Sequence, residues 1–300
     1  MTEAIEVVPP REVIETRMFE SSRWEQVKLR PDDIIIATWA KSGTTLTQQI
    51  VFQLLSRGAD RMFSADVSPW VDLRWRMSVA EMAPALEAQT RRRFLKTHLP
   101  FGAAPFSPQV KYVYIGRDAR DMIWSAHNHA ASFTDEAWAR VNAAEGPWPK
   151  WGPPNPDVRE WYLHWLETDE ALGFHDLSLW ENVQSWWDQR RRPNVLLLHY
   201  ANLIADMAGE MRRLADFLDV EIDEARLPQM VEHCSIDYMR DAASQGPAGK
   251  ERAASFFYKG TNGRWKDVLS LEEIAACDAL AAKRLTADCA HWLKTGCLPE

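Results

Sequence analysis

The sequence predicts an α/β fold. A mostly parallel central sheet is flanked by helices on both faces, in one domain over residues 1–300. Three observations predict it. Short apolar runs such as Ile34–Ile36 and Val195–Leu198 have no polar alternation, as in strands buried on both faces. Stretches of 3.6-residue apolar period separate them, and that alternation favours parallel strands joined by helical crossovers. The apolar runs also end in polar, turn-forming or chemically active residues, namely Lys41-Ser42-Gly43, His98 and Gly116-Arg117. Open α/β sheets bind their ligands at that edge.

The first unit is Asp32–Leu55. Ile34–Ile36 is the strand, Lys41-Ser42-Gly43-Thr44-Thr45 the turn, and Leu46, Ile50, Val51, Leu54 and Leu55 one face of a helix that stops at Gly58. Backbone N–H groups and the positive helix end converge there with the charge of Lys41, which makes an anion site. It is P-loop-like without the nucleotide triphosphatase pattern GxxxxGK[ST], because Lys41 precedes Gly43.

Before that unit, Met1–Pro31 is polar, with a short helical pattern over Val13–Phe19. After it, Ala59–Thr90 reads as irregular. Trp70 in that stretch has two readings, core packing or a pocket wall, and the sequence alone favours core. Arg93–His98 is a second strand, closed by Pro100, so His98 falls at its C-terminal end. Val110–Ile115 is a third strand, followed by Arg117, the helix cap Asp118, and Ser125 on the next helix. Arg117 and Ser125 can reach a phosphate from there; the plainer reading of Arg117 is a salt bridge to Asp118 or Asp121.

Glu145–Asp157 is rich in Pro and Gly and carries two Trp. It reads as a substrate-covering loop, with a surface connection as the competing reading. Helices are expected over Leu177–Arg191, Asp206–Leu218 and the second half of Asp223–His233. Asn194–His199 is the fourth strand, closed by Tyr200. Asp237–Lys266 reads as long and irregular. Ser270 and Glu273 form a capping box for a last helix running to about Lys294.

Composition sets limits. Of 300 residues, 46% are hydrophobic and 26% charged, enough for a large core. A net charge of -8 argues against nucleic acid as a partner. The basic runs Arg91–Arg93 and Arg190–Arg192 read as solvated faces. Cys234, Cys277, Cys289 and Cys297 lack metal-binding spacing and read as reduced thiols, so a cytoplasmic protein without bound metal is expected. No apolar run has membrane-spanning length. Fifteen Trp supply material for an aromatic pocket.

Five motifs in order resemble those of the cytosolic sulfotransferases. They are AKSGTT at Ala40–Thr45, KTHLP at Lys96–Pro100, YIGRDARDMIWS at Tyr114–Ser125, LWENVQSWW at Leu179–Trp187 and YKGTNGRWK at Tyr258–Lys266. The resemblance implies sulfuryl transfer from phosphoadenosine phosphosulfate (PAPS), releasing phosphoadenosine phosphate (PAP), to a hydroxyl or amine of a small acceptor. It implies that Lys41, Ser42, Gly43, Thr44 and Thr45 hold the 5′-phosphosulfate. Arg117 and Ser125 would hold the 3′-phosphate, completed by Lys259 and Gly260, with Tyr200 and Ser235 near the adenosine. His98 would be the general base, assisted by Lys96, and Trp70 would line the acceptor pocket, which reverses its reading from sequence alone.

The chain also departs from the family. Leu46 replaces an aromatic that stacks on adenine, a job left to Trp39 or another ring. Tyr258 replaces an Arg, and Arg264 an acidic residue. Ala275 degrades the family's dimer motif, which leaves a homodimer as one of two states to expect. A P-loop small-molecule kinase and a non-catalytic phosphoadenosine-binding protein are the rival functions.

Overall fold

The computed structural model describes all residues except 1–4, 64, 66, 76, 171–175, 246–252, 254, 258–259 and 300. Four strands form one parallel sheet: β1 (Ile34–Ala37), β2 (Phe94–Thr97), β3 (Lys111–Gly116) and β4 (Val195–His199). Their spatial order is β2-β1-β3-β4. Ile36 stands beside Lys96 and Val113, and Gly116 beside His199, so all four C-terminal ends reach one edge.

Side-chain alternation divides the interior into two cores. Ile35, Ala37, Leu95, Tyr112, Tyr114 and Leu197 face one side, where most of the buried tryptophans pack. Ile34, Ile36, Phe94, Val113, Ile115 and Leu198 face the other, against the helix α1 (Thr44–Ser56) and Met211, Leu214 and Met230. Helix α1 ends with Arg57 in left-handed geometry, and the Gly58 N–H returns to the Gln53 carbonyl. No helix among the described residues is long and apolar enough to cross a membrane.

Several sequence-based expectations need correction. Val13–Phe19 is not helical. Its backbone pairs locally and with Leu73, and a 3₁₀ turn follows at Ser21–Gln26. The stretch expected to be irregular before β2 contains α2 (Val79–Glu87), capped by reciprocal Ser78 and Glu81 bonds. Arg93 is not on a solvated face. It is fully buried and grips Asp33 with two hydrogen bonds of 2.8 and 2.5 Å, tying β1 to β2 at the edge away from the turn.

Beyond β3 lie α3 (Ala119–Ala131), α4 (Asp135–Val141), α5 (Val158–Thr168) and α6 (Leu179–Trp187), the last shorter at both ends than expected. Beyond β4, α7 (Tyr200–Ala205), α8 (Met207–Phe217) and α9 (Leu227–Glu232) follow, and α10 (Ile236–Ser244) occupies the start of a stretch read as irregular. The Ser270–Glu273 capping box forms as expected. The helix after it breaks at extended Leu285, giving Leu271–Arg284 and Ala287–Thr295.

Candidate active site

At the C-terminal edge of β1 the chain turns sharply. Lys41 has φ 65° and Gly43 φ 117°, both left-handed, and α1 starts at Thr44. A Cβ on Gly43 would lie 2.7 Å from the Tyr200 ring and 3.0 Å from Ile115. Only glycine fits both that conformation and that space. The Ser42 hydroxyl is fully buried and donates to the Trp39 carbonyl at 2.8 Å. Its side chain therefore braces the turn, and what it can offer an anion is backbone. Thr45 is half-buried, whereas Thr44 is buried and meets the Thr38 hydroxyl at 2.8 Å.

His98 follows β2 and is 2% exposed. Its Nδ1 lies 2.7 Å from the Thr38 carbonyl oxygen and 3.0 Å from the Thr38 hydroxyl. A carbonyl only accepts, so the neutral ring carries its proton on Nδ1 and keeps the lone pair on Nε2. The backbone is held too: the Asn182 amide donates to the His98 carbonyl at 2.9 Å and accepts from Tyr114 Oη at 3.0 Å. Trp70 packs edge-on against His98 with ring centroids 4.5 Å apart, and Lys96 Nζ lies 3.8 Å from the Trp70 ring centre. Phe19 completes the aromatic surround, 5.9 Å from Trp70 and 6.5 Å from His98.

Arg117 follows β3 and is buried. It donates to Asn262 Oδ1 at 2.9 Å and to the carbonyls of Lys41 and Thr261 at 3.2 Å each, and it stacks 4.3 Å over the Tyr200 ring. Tyr200 Oη donates to the Gly260 carbonyl at 3.0 Å, and the Gly263 N–H donates to Asp121 at 2.7 Å. Residues 260–263 are thereby pinned onto the sheet edge. The expected Asp118 or Asp121 salt bridge to Arg117 does not form; Asp118 pairs with Arg120 instead. Ser125 stands one turn beyond Asp121 on α3, half-buried, and Ser235 caps α10, whose Ile236 abuts Gly260. Lys259 and Tyr258 lie outside the described residues.

Burial pushes the Lys41 ammonium down to about 7, and the nearby positive charges of Arg117 and Arg264 add to the shift. An unusual concentration of cationic charge thus waits at a turn built for anions. An anion bound there would restore the ordinary basicity of Lys41, so binding would take up a proton. Phosphoanion affinity should be full below pH 7 and fall as pH rises through 7, by at most about tenfold per pH unit. Calorimetry at pH 8 in two buffers of different ionisation heat should detect the proton, and Lys41→Met should abolish it.

A family model described as "Sulfotransferase domain" matches residues 31–288. The chain belongs to the sulfotransferase family. The sulfotransferase is 30% identical over 288 residues to a glycolipid sulfotransferase of Mycobacterium bovis (strain BCG / Pasteur 1173P2), covering 88% of each chain. It is 26% identical to human sulfotransferase 1E1, covering 81% of each. Its fold matches mouse sulfotransferase SULT7A1, solved with PAP, at a TM-score of 0.71 and 17% identity, covering 97% of this chain and 99% of that one.

The C-terminal edge of the sheet brings Lys41, Gly43, Thr44, Arg117, Tyr200 and Gly260 together, with His98, Lys96 and Trp70 at the end of β2. Trp39 is not available to stack on a base: it is 1% exposed and its indole donates to the Leu177 carbonyl at 2.9 Å. Leu46, on α1 itself, is likewise buried in the core. Sequence reasoning missed Thr38 and Asn262, took Asp121 only as a salt-bridge partner of Arg117, and placed no role on Arg264. Arg264 was visible as a charge reversal next to Gly263, while the other three become relevant only through contacts made across the fold.

The loop expected to cover substrate is anchored at several points. Arg17 donates to the carbonyls of Trp148 and Pro149 at 2.6 and 3.1 Å, Asn142 pairs with the Trp151 backbone, and His127 Nε2 meets the Asn155 carbonyl at 2.7 Å. A groove lined by Trp151, Pro153, Pro154, Trp161 and His164 lies against it.

Proposed function

We propose that this sulfotransferase moves a sulfuryl group from PAPS to a hydroxyl, or amine, of a small and largely apolar acceptor, with His98 as general base. The observation that carries the reading is the His98 tautomer. Nδ1 is committed to the Thr38 carbonyl, so the lone pair sits on Nε2. Thr38 follows β1 and leads into the Lys41–Thr45 turn, and its hydroxyl also meets Thr44. Base and anion site are thus joined through one residue.

The chemistry suits these groups. As the acceptor oxygen bonds to sulfur, its proton passes to His98 Nε2. The bond from sulfur to the bridging phosphate oxygen breaks, and negative charge gathers on that oxygen. Lys41 and the N–H groups of the turn are suited to stabilise it, as in phosphoryl transfer through a loose transition state. Lys96, held over Trp70, adds positive charge near the reacting centre. Arg117 and Ser125, with Lys259 and Gly260, would bind the 3′-phosphate, and Tyr200 and Ser235 the adenosine. Arg264 is a cation near Lys41 and Arg117, which offsets the Arg missing at Tyr258.

Phe19 and Trp70 beside His98 support an apolar acceptor face. The named activity of the mycobacterial relative adds glycolipids to the compounds worth testing. The deciding experiment is a calorimetric titration with PAP without metal, alongside ATP with and without Mg²⁺, followed by transfer of labelled sulfuryl groups to phenols, alcohols and glycolipids. Tight, metal-independent PAP binding with transfer is expected. Preference for ATP with Mg²⁺ would favour a kinase, and PAP binding without transfer to any acceptor would favour a non-catalytic binding protein.

A further inference from the structure

Asp72 is fully buried, yet it keeps a carboxylate directly behind the site. The segment that carries it lies along β2: the Lys96 N–H donates to the Pro69 carbonyl at 3.0 Å and the Val71 N–H to the Lys96 carbonyl at 3.2 Å. Asp72 Oδ2 accepts from the Trp70 indole at 2.9 Å and from the His98 backbone N–H at 3.3 Å. Oδ1 accepts from the Trp24 indole at 3.3 Å, and the Thr97 side chain bonds the same carboxylate. These donors are all neutral. Burying a carboxylate among neutral donors is costly, and burial raises its pKa.

The position of the carboxyl group gives it a use. The carboxylate fixes the Trp70 indole by its N–H, and the face of that ring carries Lys96 Nζ at 3.8 Å while its edge meets His98. An oxygen acceptor on the indole N–H draws electron density toward the ring face and strengthens its hold on an ammonium. Lys96 and His98 are two residues apart on an extended chain and so project to the same side. We infer that Asp72 is a positioning residue for sulfuryl transfer, setting His98 through its backbone N–H and Lys96 through the polarised Trp70 ring. The inference rests on the reading of His98 as base and Lys96 as its aid.

Asp72→Asn tests it, because an amide keeps the shape but turns one acceptor into a donor facing a donor. The expected result is a fall in kcat of about tenfold to a hundredfold, the size of effect that follows from small displacements of catalytic groups. PAP affinity should stay within about threefold of the parent's, since none of the contacts of Asp72 belongs to the proposed donor-binding residues. Trp70→Phe should cost turnover, and adding Asp72→Asn to it should cost less than Asp72→Asn costs alone. Unchanged kcat in a folded Asp72→Asn protein overturns the inference. So do additive losses, or a parallel loss of PAP affinity and Tm that marks a purely structural role. If Asp72→Asn does not fold, the pair Trp70→Phe and Lys96→Met decides: the double variant should lose less than the two single losses combined, and additive losses overturn the inference. Full activity in His98→Ala would instead remove the reading beneath it.

Discussion

His98→Ala should lower turnover by about 10²- to 10⁴-fold, the usual worth of a positioned general base. PAP affinity should barely change. The two expectations separate because of where the ring sits. His98 ends β2 and takes its orientation from Thr38, while its backbone is held independently by Asn182 and Asp72. Removing the imidazole leaves those backbone contacts in place, so the strand end should keep its course. Arg117, which would bind the 3′-phosphate, contacts Asn262, Thr261, Lys41 and Tyr200 instead. Single-turnover sulfuryl transfer and PAP calorimetry on the same preparation make the comparison. Equal turnover would sink the base assignment, and a matched loss of PAP affinity would show that the ring supports the anion turn rather than the chemistry.

The framework for this site was legible because it rests on local rules. Ile34–Ile36, Val110–Ile115 and Asn194–His199 are apolar without alternation, and each proved to be a strand within a residue or so at its ends. Gly43 marks a turn that few other residues could make. The misreadings share a cause as well. Val13–Phe19 has helical spacing, but its backbone groups find partners across the fold, with Phe19 paired to Leu73. Arg93 sits in a run of three arginines, and only the adjacency of β1 and β2 reveals that Asp33 neutralises it in the core. Thr38 and Asp72 are ordinary residues in the sequence. They acquire meaning from His98, which is 60 positions from one and 26 from the other. Spacing along the chain carries no record of such contacts. The capping box at Ser78 and Glu81 was a local signal, but the helix it starts is only nine residues long and contains Pro84, which weakens its periodic pattern.

Arg117→Ala should weaken PAP binding on the order of 10²- to 10⁴-fold, from the loss of about two hydrogen bonds to a charged phosphate at about 1.5–3 kcal/mol each. Arg117 is buried, so its charge is little screened by solvent. It also does two jobs. Its guanidinium ties Asn262 and Thr261 to the Lys41 carbonyl, and its face covers Tyr200, which holds Gly260. Losing it should therefore loosen residues 260–263 as well as remove a phosphate contact. The two contributions separate by ligand. The parent protein should prefer PAP to AMP, which lacks the 3′-phosphate, and Arg117→Ala should lose most of that preference. If PAP and AMP affinities fall by equal factors, Arg117 acts by holding the loop and the 3′-phosphate is bound elsewhere, with Arg264 the next residue to test. If PAP affinity stays within threefold of the parent's, the donor site has been placed on the wrong side of β3. Arg117→Lys should recover only part of the loss, because one ammonium cannot span Asn262, two carbonyls and a phosphate as a planar guanidinium does.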